Sequence, residues 1–204
     1  MIKSDRIAQL LENGRQGKMD DSLVVSPCPD LNELRRSGSA SVDLRLGTWF
    51  VTLRQARMSH LDVEETGRRV SKTHFVPFGQ PFYLHPRAFV LNATLEWICL
   101  PRGIAAYVIG KSSWGRRGLI IATATGVHPG FKGCLTLELT NVGEVPIAIE
   151  PGLRVCQLFL HEVRKGDSEQ VDQSSFVGFR KPEPGKVSRD DIARKLACDP
   201  IHAP

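Results

Sequence analysis

Cys134-Leu135-Thr136-Leu137-Glu138-Leu139-Thr140 is the stretch that decides how this chain folds. Apolar and polar residues alternate in it without a break. Successive side chains of a strand leave opposite faces, so Leu135, Leu137 and Leu139 fall on one side and Cys134, Thr136, Glu138 and Thr140 on the other. A strand with one leucine face packs that face on a core and turns the other to solvent or a cleft. Glu138 therefore projects away from the core, and a lone carboxylate on such a strand is a candidate for chemistry. Upstream, Gly110-Lys111-Ser112-Ser113-Trp114-Gly115-Arg116-Arg117-Gly118-Leu119 gathers two hydroxyls and three cations into one turn, the groups that bind phosphate. Together the two stretches read as a nucleotide site on a β-scaffold.

The same alternation recurs outward from this segment. Val42–Leu46, Trp49–Leu53, Phe82–Leu84, Ala88–Thr94, Ala105–Ile109, Leu119–Ala122, Ile147–Ile149 and Val155–Leu160 are further candidate strands, separated by Pro and Gly at short intervals. That spacing predicts a mainly β protein: a sandwich, jelly roll or barrel. Helical periodicity is confined to the two ends. Ser4 can cap a helix carrying Ile7, Leu10 and Leu11 and stopped by Gly14, and Ser188 can cap another reaching Leu196. Arg57–Lys72 is charged and poor in apolar residues, the composition of a solvated excursion. Residues 164–204 form a polar tail that cannot bury a core of its own; it either covers the site of this or a neighbouring subunit, or orders when ligand binds.

At 204 residues the chain is expected to be one domain spanning 1–204. Its formal net charge of +5 favours an anionic partner, but the cations are dispersed. A basic stripe with interleaved aromatics is missing, so a small phosphorylated ligand is expected rather than nucleic acid. No apolar run is long enough for a membrane helix, and no signal peptide is read at the N-terminus. Five cysteines, an odd number without a CxxC pair, predict a reduced cytoplasmic protein whose thiols serve as small hydrophobes.

Several catalytic plans fail on spacing. A P-loop ending in Gly110-Lys111-Ser112 needs a glycine where Ala105 stands. A zinc nucleobase deaminase needs H-x-E and P-C-x-x-C, yet no His has Glu two places on, and Pro27-Cys28-Pro29-Asp30-Leu31 lacks the second Cys. No G-x-S-x-G elbow occurs.

What remains resembles the dCTP deaminases of the dUTPase-like superfamily. The resemblance is carried by Ser4-Asp5-Arg6, Ser41-Val42-Asp43-Leu44-Arg45-Leu46-Gly47, Phe82-Tyr83-Leu84-His85-Pro86, the Gly110–Leu119 turn, Pro129–Asn141 and Pro151-Gly152-Leu153-Arg154-Val155-Cys156-Gln157-Leu158, in that order. It implies a distorted jelly roll of the dUTPase-like type, assembled as a homotrimer with active sites between subunits. The implied reaction is hydrolysis of dCTP, or a related cytosine deoxynucleotide, to dUTP and ammonia without zinc. Mg²⁺ is expected only as the companion of the triphosphate. Glu138 matches the family's catalytic glutamate, the general base that takes a proton from water attacking C4. Ser112 and Arg116 match its active-site serine and arginine, and Lys111 stands where the family usually has arginine, keeping charge but losing the fork. Ser113, Thr136 and His128 complete the expected substrate contacts, with no metal ligands. Asp43 and Arg45, two apart on one strand, are expected to form a structural ion-paired brace.

Three departures from the family pattern surround the substrate. Val127-His128 replaces Ile-Asp, the run from Gly118 to His128 is read as one residue short, and Ser175, Phe176 and Phe179 occupy positions that normally offer Lys, Tyr and Gln. Loss of that aspartate weighs against the alternative of a dUTP pyrophosphatase. A second alternative is a module of the same fold that binds a nucleotide without turnover.

Overall fold

The computed structural model of the chain describes residues 1–15, 22–53, 71–123, 126–164, 178–185 and 190–192. In chain order the elements are α1 (Ser4–Arg15), β1 (Val24–Ser26), α2 (Leu31–Ser37), β2 (Ser41–Leu53), β3 (Ser71–Phe75), β4 (Phe82–Leu84) and β5 (Phe89–Cys99). They continue with β6 (Ile104–Gly110), α3 (Ser112–Gly115), β7 (Leu119–Ile121), β8 (Gly126–Val127), β9 (Lys132–Asn141), β10 (Ile147–Ile149) and β11 (Arg154–Glu162). Nine strands make one sheet in the order β7-β9-β5-β2-β11-β6-β8, with β1 added to β5 and β3 to β2, while β4 and β10 pair separately. Leu119 of β7 and Val127 of β8, at opposite ends of that order, are buried in the same apolar cluster, so the sheet curls onto itself around a shared core. This is the mainly β, distorted jelly-roll architecture expected from the sequence. The leucines of β9 lie in that core, Leu137 and Leu139 fully buried, while Thr136, Glu138 and Thr140 are half-buried on the other face.

Two neighbouring strands are bulged where the sheet turns. Against β5, β2 advances from Leu46 to Phe50 while its partner moves only from Thr94 to Asn92. Against β9, β5 advances from Ala93 to Trp97 while its partner moves from Thr136 to Cys134. Extra residues leave backbone groups without ladder partners, and buried side chains of β5 take them up. Asn92, fully buried, accepts from the Gly47 N–H at 3.2 Å and donates to the Gly47 and Trp49 carbonyls at 3.1 and 2.9 Å. Gly47 admits this because a Cβ there would sit 2.6 Å from the Ala93 carbonyl oxygen. In the second bulge the Thr94 hydroxyl donates to the Glu96 carbonyl at 2.8 Å and accepts from the Leu135 N–H at 2.9 Å. Glu96, 1 % exposed, accepts from the Arg45 backbone N–H at 2.8 Å and from its guanidinium at 2.9 Å.

The brace expected of Asp43 and Arg45 is therefore real but differently paired. The two residues bond to other strands rather than to each other: Arg45 to Glu96, and Asp43 to Lys111 at 2.7 Å. The expected strands Val42–Leu46 and Trp49–Leu53 are one strand, because the Asn92 bulge carries it past Gly47. Helix α2 was not expected, although its signals are local: Asp30 accepts from the N–H groups of Asn32 and Glu33, which holds its carboxyl below the usual range, and Gly38 closes the helix at φ 60°. Helix α1 runs one residue past Gly14. The excursion at Arg57–Lys72 lies outside the described residues up to position 70, and β3 begins at Ser71. The helix expected at Ser188–Leu196 lies outside them apart from 190–192. Among the described residues no helix is long and apolar enough to cross a membrane.

Cys28, Cys99, Cys134 and Cys156 form no disulfide among the described residues; Cys198 lies outside them. Cys156 is buried, and burial, with lesser contributions from Glu96 and Asp43, pushes its thiol up to about 12. With almost no thiolate at neutral pH, Cys156 is expected to resist iodoacetamide in the native protein and to react on unfolding, as peptide mass mapping would show. Asn92→Ala strips partners from three buried backbone groups and is expected to lower stability by roughly 2–4 kcal/mol in urea titrations at fixed protein concentration.

Candidate active site

Cys134, Thr136 and Glu138 of β9 line a cavity of about 210 Å³. Leu91 of β5, Val108 of β6, Gly126 and Val127 of β8, and His128 and Phe131 from the loop before β9 line it too. Thr123, which follows β7, and Phe179, Glu183 and Gly185 complete the lining. The sequence thus brought Glu138, Thr136 and His128 to one place. Glu138 is fixed through its backbone, with its N–H donating to the Thr123 hydroxyl at 3.1 Å and its carbonyl accepting from Ala122 at 2.8 Å. Its carboxylate meets no hydrogen-bonding or ion-pairing partner among the described residues, and the residue lines the cavity.

The other predicted residues lie elsewhere in the chain. Ser112, Ser113 and Arg116 are exposed on α3 and its C-terminal cap, outside the Glu138 cavity. Their one-turn helix is held from behind: the Lys111 N–H donates to the Val155 carbonyl at 2.9 Å, and the Trp114 indole N–H donates to the Arg154 carbonyl at 2.9 Å. Arg117 lies over the Trp114 ring, 5.7 Å from its centroid. Lys111 lines a second hollow of about 190 Å³ with Asp43, Arg154 and Gln157. There Asp43 accepts from the Lys111 ammonium at 2.7 Å and from the Gln157 amide at 3.2 Å. Within the chain, then, Lys111 is a member of an internal polar cluster and is not brought to Glu138.

Two residues of the cavity escape a reading of the sequence. Thr123 follows β7 and looks like loop, yet it supplies the hydroxyl that takes up the Glu138 N–H. Glu183 sits in a tail with no periodicity, and no local pattern assigns it to the cavity. Among the described residues, no three His, Cys, Asp or Glu side chains converge closely enough to hold a metal ion.

Comparison with known proteins places this geometry. The family model described as "dCTP deaminase-like" matches residues 3–163. The chain is 41% identical over 168 residues to a protein named dCTP deaminase in Halorubrum lacusprofundi, covering 80% of this chain and 78% of that one. It is 39% identical over 166 residues to one named dCTP deaminase, dUMP-forming, in Dictyoglomus thermophilum, covering 80% and 81%. The protein of the same name in Methanobrevibacter smithii is 35% identical over 204 residues, covering 95% of this chain and 99% of the relative. Among solved structures, the 2'-deoxycytidine 5'-triphosphate deaminase of Agrobacterium tumefaciens superposes with a TM-score of 0.58 at 21% identity. That match covers 78% of this chain but 45% of the longer one, and it bears on the fold alone. With a model spanning most of its length and relatives this similar over four-fifths of it or more, the chain belongs to the dCTP deaminase-like family.

Proposed function

We propose that the Glu138 cavity is where a cytosine deoxynucleotide, dCTP foremost, is hydrolytically deaminated. The observation that carries this is a half-buried carboxylate, anchored through its backbone and without a cation partner among the described residues, on the wall of a cavity. Water adds to C4 of the ring while Glu138 takes its proton; the same carboxylate returns protons to N3 and to the amine, which leaves as ammonia. Thr136 and His128 offer polar contacts to the base and sugar. No step in this sequence requires zinc. Mg²⁺ enters bound to the triphosphate oxygens, which suits a cavity whose described carboxylates form no cluster.

Assembly follows from the same geometry. A cavity of about 210 Å³ is smaller than the roughly 300 Å³ at which pockets begin to enclose drug-sized ligands, so one chain takes only part of a nucleotide. Ser112, Ser113 and Arg116 are exposed away from it, on a helix anchored from behind. In a homotrimer, α3 of one subunit would meet the Glu138 cavity of the next, giving phosphate its hydroxyls and guanidinium.

The names of the relatives bear on the expectation of dUTP as the final product: that of Halorubrum is named dCTP deaminase alone. Those of Dictyoglomus and Methanobrevibacter are named dUMP-forming. Deamination is the step common to all these names; dUMP, released with ammonia and diphosphate after a second water attacks the α-phosphorus, is the product the dUMP-forming names favour, and in this chain that water would have to be activated without the aspartate that His128 replaces.

Glu138→Gln is expected to slow ammonia release from dCTP by roughly 10²–10⁴-fold while nucleotide binding, followed by thermal shift, persists. A wild-type rate would remove that carboxylate from the chemistry, and stabilisation of the parent protein by dCTP without any uracil product would favour a binding module. Chromatography of the same reaction separates dUMP from dUTP. Co-expressing Glu138→Gln with Arg116→Ala subunits is expected to restore part of the activity each variant lacks alone, whereas no recovery would place both residues in a site within one chain.

A further inference from the structure

Residues 178–185 are docked on the edge of β9 beside the cavity that Phe179, Glu183 and Gly185 help to line. The even-numbered residues of β9 turn their backbone groups toward β7, which pairs with them only at the Asn141 end. Below that, the Thr123 hydroxyl takes the Glu138 N–H. Lower still, Gly178 donates to the Lys132 carbonyl at 2.7 Å and Cys134 donates to the Phe179 carbonyl at 2.9 Å. The approach depends on Gly133, at φ 150°, where an added Cβ would stand 3.3 Å from both the Gly178 nitrogen and the Phe179 oxygen. Phe179, Glu183 and Gly185 then line the Glu138 cavity. The strap is also held across the sheet: the Lys181 ammonium sits 3.8 Å from the centroid of the Trp49 ring, and Trp49 belongs to β2, two strands away from β9.

We propose that Trp49 is a positioning residue for the reaction: its ring holds Lys181, which keeps Phe179 seated over the Glu138 cavity. The proposal rests on the reading of that cavity as the substrate site. An ammonium over an indole face is attracted by the ring quadrupole, so this contact adds a side-chain hold to the backbone hydrogen bonds of the strap. Phe75 packs against the same indole, ring centroids 5.0 Å apart and tilted by 57°, which fixes its orientation. Trp49 touches no residue given a chemical role, so its removal should weaken retention of substrate and leave the proton shuttle intact.

The test uses the full chain and the variants Trp49→Leu, Trp49→Phe, Lys181→Ala and Gly133→Ala. Trp49→Leu and Lys181→Ala are expected to raise KM for dCTP about 3- to 10-fold with little change in kcat, and the double variant should be no worse than either. Trp49→Phe keeps a ring face and should recover part of the loss. Merely structural damage would instead lower kcat through loss of folded protein. A second readout needs no turnover. Cys134, half-buried between the strap and β9, should react faster with iodoacetamide in Trp49→Leu, Lys181→Ala and Gly133→Ala than in the parent, as followed by peptide mass. Unchanged KM and unchanged Cys134 labelling in Trp49→Leu, with an active parent, overturn the proposal. Faster labelling in the variants of a parent that deaminates no cytosine nucleotide would keep the anchor and remove the reading of the cavity on which its catalytic consequence rests.

Discussion

The partly filled edge of β9 is the constraint from which the site follows. One side of the strand is paired with β5 along most of its length, and the other meets β7 only from Leu139 to Asn141. Exposed strand edges need covering, by another strand, a loop or a side chain. Here different devices cover the edge below Leu139: the Ala122 N–H and the Thr123 hydroxyl at Glu138, and the backbone of 178–179 at Lys132 and Cys134. Beside this edge, Cys134, Thr136 and Glu138 line the cavity.

Beside that cavity the sheet is shaped by the two bulges. Each inserts residues that would leave unpaired backbone groups inside the core, and Asn92, Thr94 and Glu96 take these up. A buried polar network holds one arrangement only when every member is satisfied. Among the described residues no buried side-chain nitrogen or oxygen lacks a partner. Trp49 leaves the sheet beside the first bulge, where Asn92 binds its carbonyl. The residue proposed to anchor the strap is thus fixed at its own backbone by the same side chain that fixes the bulge.

Legibility in the sequence followed how local each cause is. The leucine alternation needed only seven residues and gave the strand, its buried face and the position of Glu138. The α2 signals, Asp30 and Gly38, were equally local but went unused because no long apolar period joined them. The bulges could not be read, since Asn92 answers a glycine 45 residues earlier. The same holds for Lys111, whose partner Asp43 is 68 residues away. In the turn around Lys111 the charges were visible and their partners were not, so an internally paired lysine and an exposed arginine looked alike.

The pairing of Lys111 also bears on how Glu138 could work. A carboxylate that must take up a proton and give it back is poorly served by a cation in contact, because the cation favours the ionised form throughout. Four cations, Lys111, Arg116, Arg117 and Arg154, come from α3 and the segments packed against it. Asp43 holds Lys111 and is approached by Arg154 at 3.7 Å, and Arg117 lies over Trp114. Arg116 and Arg117 are exposed with no ion-pairing carboxylate among the described residues, Arg117 resting on the Trp114 ring, and neither lines the Glu138 cavity. Within one chain the carboxylate proposed to carry the proton and the guanidinium proposed for phosphate are thereby kept apart. A nucleotide, whose base and phosphates are separated by a sugar, is a ligand that can use both only when they are presented from two directions.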